Sequence, residues 1–198
     1  MTLYADAIAF ASKVHEGAFR KGTNIPYIVH PLEAASIAST LTDDEEILAA
    51  AVLHDVIEDC GVTEAELAAR FSERVAAIVR AESQTKHADP FESWDARKQE
   101  AVDRLAVADR AQKIVALGDK LSNMRAIRRD YDAYGEALFF RFHQHKKCRH
   151  AWYYRSCAAL LEGEFGESDA WKELHALIEY VFADIPKAES AKFRTRRT

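Results

Sequence analysis

The chain has 198 residues, 48% hydrophobic and 30% charged, with only 7 glycines and 4 prolines, which suits one helical domain with a real core and excludes a disordered chain. A net charge of −5 excludes a general nucleic-acid binder, so basic clusters must be judged locally. Three cysteines without a CxxC spacing, an N-terminus without a leader pattern and no apolar run near the ~18 residues of a membrane span are what a reduced, cytoplasmic protein with no membrane partner would show.

Leu3, Ala7, Phe10, Ala11 and Val14 recur at helical spacing and predict a helix over 2–16. Gly17, Gly22 and Pro26 make 17–29 a loop, and Pro31 suits the first position of a helix over about 31–41. Acids at 43–46 favour a helix start at about 44, and that helix carries the run Ala50–Asp59 and stops near Gly61. Thr63 and Glu66 fit a capping box for a short helix to Phe71; Val75, Ile78 and Val79 mark another ending near Thr85. After a polar loop at 86–92, helices are expected over 93–109, 110–129, 133–147, 149–163 and 167–183, with no strand pattern and no repeat. The expected architecture is all-α: one helical-bundle domain over 1–185, then a flexible basic tail at 186–198 carrying Lys187, Lys192, Arg194, Arg196 and Arg197.

The run Ala50-Ala-Val-Leu-His-Asp-Val-Ile-Glu-Asp59 sets His54, Asp55, Glu58 and Asp59 into an apolar stretch. Such groups are costly to bury without partners, and a divalent metal satisfies an imidazole and a carboxylate together. On a continuous helix His54 would stack over Glu58, and Asp55 over Asp59. His30 and Asp119 are the other candidate ligands and would arrive from neighbouring helices, as metal sites in bundle cores do. Two imidazoles and two carboxylates suit Mn2+, Fe2+ or Zn2+ better than Ca2+ or copper. A metal there lowers the pKa of water and polarises a phosphoryl oxygen, with Glu58 placed to orient that water or take its proton, and Asp59 to assist or to hold a hydrogen bond behind the ligands. Arg20 and Lys21, in the loop before His30, offer cations for phosphate. Each piece has a plainer reading: a His-Asp pair is common in cores, Arg20-Lys21 fits a solvated loop, and Asp119 with Asn123 fits an exposed helix face.

Taken in order, Arg20-Lys21, Pro26-Tyr27, His30-Pro31, His54-Asp55-x-x-Glu58-Asp59 and Gly118-Asp119-Lys-Leu-x-Asn123 resemble the HD superfamily of metal-dependent phosphohydrolases. The chain looks most like the hydrolase domain of RelA/SpoT homologues, over residues 1–165, and is similar in length to the small single-domain alarmone hydrolases. The resemblance implies an HD-domain helical bundle with one Mn2+ held between helices by His30, His54, Asp55 and Asp119. It implies that Glu58 and Asp59 activate water, that Arg20 and Lys21 meet base and phosphates, and that Asn123 touches substrate. The implied reaction removes the 3′-pyrophosphate of (p)ppGpp, giving GDP or GTP and pyrophosphate; with no room for synthetase or regulatory domains, no alarmone synthesis is expected. The alternatives are another phosphorylated nucleotide, such as the 2′-phosphate of NADPH, and a nucleotide sensor without turnover. Lys86, Lys98 and Tyr154 are further substrate candidates, the tyrosine by stacking on a base.

Three departures from the family pattern stand out: a loop one residue longer between Arg20 and His30, Ala126 where related enzymes often carry Thr, and Gly118 in place of Ala. None is expected to touch the metal, and the first two bear on which nucleotide fits. The segment Arg141–His150 reads as a solvated basic face or a phosphate-facing rim. Oligomeric state is not legible.

Overall fold

The computed structural model describes residues 2–83 and 94–187; the 86–92 loop, Lys86 and the tail beyond Lys187 lie outside the described residues. These are helical, with a single isolated bridge, Phe19 to Pro26, closing the loop before His30. No described helix is long and apolar enough to cross a membrane. The three cysteines carry no disulfide.

Local signals set most boundaries. α1 (Leu3–Val14) is capped by Thr2, α3 (Glu45–Leu53) by Asp44, and α5 (Glu64–Arg70) by the Thr63–Glu66 capping box. Between the first two lies α2 (Val29–Ala38). It begins two residues before the expected Pro31, because a proline is tolerated anywhere in a first turn whose amides lack helical acceptors. α6 (Glu73–Glu82) is capped by Ser72; α7 spans Trp94–Val107. α8 (Arg110–Tyr134) opens on a capping box between Asp109 and Gln112; α9 covers Lys147–Phe165 and α10 Asp169–Val181.

Three expectations are corrected. The helix through the His-Asp run is broken: α3 ends at Leu53 and a short α4 (Val56–Cys60) follows. His54 Nδ1 lies 2.8 Å from the Ala51 carbonyl, which an unbroken helix would give to the Asp55 amide, so the side chain displaces the backbone bond. The helix expected over 133–147 is absent. α8 runs on to Tyr134, Gly135 turns the chain with φ 56°, and Gly135–Arg141 winds as a 3-10 turn. Only part of 141–150 is a solvated basic face: His143, His145 and Lys146 are exposed. Lys147 is buried on Glu136 and Asp184, and His150 is buried with Nε2 2.7 Å from the Gln144 carbonyl, held neutral by burial with its pKa pushed down to about 4.

The core is centred on α3, where Ala49 to Leu53 have no exposure, packed by α1, α2 and α6. α2 lies along α8, and Gly118 makes the approach possible: a Cβ there would stand 2.5 Å from the Ala34 carbonyl oxygen. That contact sets the distance between the helices carrying His30 and Asp119.

Candidate metal centre and cavity

His30 from the first turn of α2, His54 and Asp55 from the α3–α4 break, and Asp119 from mid-α8 converge on one point. The two Nε2 atoms are 3.3 Å apart. Asp119 Oδ1 is 3.1 Å from His30 Nε2 and 3.7 Å from His54 Nε2. Asp55 Oδ2 is 3.0 Å from His54 Nε2 and 3.6 Å from His30 Nε2. Both histidines are buried.

The outer hydrogen bonds assign the tautomers. The Ala51 carbonyl only accepts, so His54 Nδ1 carries a proton. Ser122 gives its hydroxyl proton to Glu33 at 2.7 Å, so it accepts from His30 Nδ1 at 2.8 Å. With both rings neutral, each Nε2 therefore turns a lone pair to the same point, where a proton on His54 or a metal ion satisfies them. Burial pushes the His54 imidazole down, but Asp55 and Asp119 overcome this and hold it well above its usual value, while burial lowers His30. Burial also opposes the charge on Asp119, which Lys120 and the imidazoles nonetheless hold well below the carboxylate range. His30, His54 and Asp55 form a group that could hold a divalent metal, and Asp119, with Oδ1 3.1 Å from His30 Nε2, stands beside it as a further carboxylate.

Tyr27 donates to Asp55 Oδ2 at 2.7 Å, and Lys120 and Asn123 donate to Asp119. Asn123 in turn accepts from Arg20 Nη2 at 2.7 Å. Two expected substrate contacts thus pair with each other beside the cluster.

The cluster forms one wall of a cavity of about 230 Å3 that Glu58, Asp59, Lys98 and Tyr154 also line. Despite the helix break, both acids of α4 face it. Asp59 is pushed up to about 6 by burial, Asp55 and Glu58. Lys98 lies 4.7 Å from the Tyr153 ring centroid and is lowered by burial and by Lys120. A second cavity of about 250 Å3 shares Arg20, Tyr27, Asn123 and Tyr154 with the first, and there Lys21 and Ala126 are found. Of the expected site residues among those described, only Lys21 does not line the first cavity.

Sequence reading passed over Lys120, Ser122 and Glu33. Lys120 is buried between Asp119 and Glu82, and a lysine beside an aspartate gives no signal of that. Tyr27 stood in the motif without a role.

The HD-domain family model matches residues 7–139. A GTP pyrophosphokinase of Myxococcus xanthus is 36% identical over 126 residues, 61% of this chain and 16% of that protein. A guanosine-3′,5′-bis(diphosphate) 3′-pyrophosphohydrolase of Vibrio cholerae is 38% identical over 122 residues, 59% of this chain and 17% of that protein. The chain thus spans about a sixth of the length of these relatives. The solved structure of a metazoan SpoT orthologue, described as hydrolysing ppGpp, superimposes with a TM-score of 0.68 at 22% identity, covering 93% of this chain and 96% of that one.

Proposed function

This chain belongs to the HD-domain family, and on that premise we propose that it is a metal-dependent hydrolase removing the 3′-pyrophosphate of (p)ppGpp, with His30, His54, Asp55 and Asp119 as ligands. The observation that carries the reading is the convergence of two Nε2 lone pairs and two carboxylates on a cavity lined by a further acid pair and by cations. Mn2+ is the metal proposed, with Fe2+ and Zn2+ fitting the same donors. The proposed setting is the cytoplasm.

A bound divalent cation supplies Lewis acidity toward a phosphoryl oxygen and the attacking water. The residues supply the rest. Asp59, with its carboxyl pushed up to about 6, is suited to take a proton from water near neutral pH, and Glu58 beside it to orient that water. Lys98 and Lys120 line the same cavity and are the cations proposed to meet the phosphates. The water oxygen bonds to the proximal phosphorus, the bond from phosphorus to O3′ breaks, and O3′ takes a proton, giving GDP or GTP and pyrophosphate. Arg20, Lys21, Asn123 and Tyr154 line the adjoining cavity, where the nucleoside is proposed to lie.

One observation favours a second reading: the small Ala126 lines the adjoining cavity together with the cations Lys21 and Arg141. This suits a different phosphorylated nucleotide, such as NADPH losing its 2′-phosphate. Product analysis with ppGpp and NADPH side by side separates the two. GDP and pyrophosphate support the alarmone reading; NADH and phosphate without GDP overturn it.

A further inference from the structure

The cavity continues beyond the metal cluster to Arg104 and Gln112. At a helical rise of roughly 1.5 Å per residue, Arg104 lies about 9 Å along α7 from Lys98, and Gln112 about 10 Å along α8 from Asp119. The two helices join through Ala108 and Asp109, so both residues mark the same end of the cavity.

Arg104 Nη1 donates to Glu100 at 2.9 Å. Its Nε and Nη2 are buried, with no hydrogen-bond partner among the described residues. Those two nitrogens form one edge of the guanidinium, the edge that matches two oxygens of a single phosphate. Leaving such an edge dry and unmet is costly, and an anion in the cavity would relieve it. Gln112 spends its carbonyl oxygen on the Asp109 amide at 3.1 Å, which leaves its Nε2 donor for the cavity. Lys98 and Lys120 line the same cavity, and the carboxylate of Glu82 is already engaged by Lys120.

Resting on the reading that the reaction transfers a diphosphoryl group, we propose that Arg104, assisted by Gln112, forms an anion subsite for the distal phosphate of that group. A metal held by His30, His54, Asp55 and Asp119 would take the proximal phosphate, and Arg104 the far one. The site thereby distinguishes a diphosphate from a monophosphate.

Calorimetric titration of the metal-loaded protein with inorganic pyrophosphate and with orthophosphate tests this. Arg104→Gln is expected to weaken pyrophosphate about tenfold and to leave orthophosphate within about twofold, with Arg104→Lys in between. Gln112→Ala, which leaves the guanidinium in place, is expected to weaken pyrophosphate about threefold and guards against a misfolded Arg104 variant. Equal pyrophosphate affinity in wild type and Arg104→Gln, or equal losses for both anions, overturns the subsite. A wild type that binds pyrophosphate through Arg104 yet leaves ppGpp intact upholds the subsite and overturns only the substrate reading. One that cleaves ppGpp, with Arg104→Gln binding pyrophosphate normally, overturns the subsite alone.

Discussion

Gly118 lies so close to Ala34 that a Cβ on it would stand 2.5 Å from the Ala34 carbonyl oxygen. The obstacle is backbone, which has no rotamer to change. Gly118→Ala is therefore expected to push α2 from α8, destabilising the fold by about 1–3 kcal/mol and moving His30 relative to Asp119. Urea unfolding and metal titration check both effects. A variant with wild-type midpoint and metal affinity contradicts this account of the helix spacing.

The relay behind His30 gives a second prediction. His30 Nδ1 meets Ser122, Ser122 meets Glu33, and Arg125 bonds Glu33 at 3.1 Å and Glu173 at 2.6 Å. Ser122→Ala removes the acceptor that fixes the His30 tautomer. Metal affinity is expected to fall about tenfold with little change in melting temperature. Unaltered metal affinity would show that the ring is oriented by packing alone.

Glu58 and Asp59 separate chemistry from metal binding. Glu58→Gln and Asp59→Asn are expected to retain bound metal while kcat drops on the order of a hundredfold. Loss of the metal in either variant would instead make that acid a ligand.

His150 predicts a stability change with pH. It is buried, and its pKa is pushed down to about 4, below the unfolded value near 6.5. Between these values the unfolded chain binds a proton that the folded chain refuses, so stability falls as pH drops from about 6.5 toward 4. The contribution is about 3 kcal/mol. His150→Gln, which keeps a donor for the Gln144 carbonyl, is expected to flatten that part of the profile in urea titrations at pH 7 and pH 4.5. An unchanged slope would assign the acid sensitivity to other groups.

These residues also show what a sequence can reveal. The four converging side chains were legible because each sits in a short motif and the motifs fall in a fixed order. The cap residue Thr63 was legible because capping is local chemistry. The break at His54 was not, since it depends on a ring nitrogen reaching back to Ala51. Lys147 read as a surface cation because one of its partners, Asp184, lies 37 residues on. Arg104 has an ordinary helical partner in Glu100, and only the fold shows its other edge buried beside the cavity without a partner among the described residues. Contacts made across the chain carry no local signal.

The central claim is that two imidazoles and two carboxylates hold a metal that supports cleavage of (p)ppGpp. The most direct measurement determines metal content and ppGpp products together, for wild type and Asp55→Asn loaded with Mn2+. The account predicts one equivalent of metal and release of GDP and pyrophosphate by the wild type, with both lost in the variant. A wild type that binds the metal and leaves ppGpp intact, or an Asp55→Asn variant that still releases pyrophosphate, would contradict it.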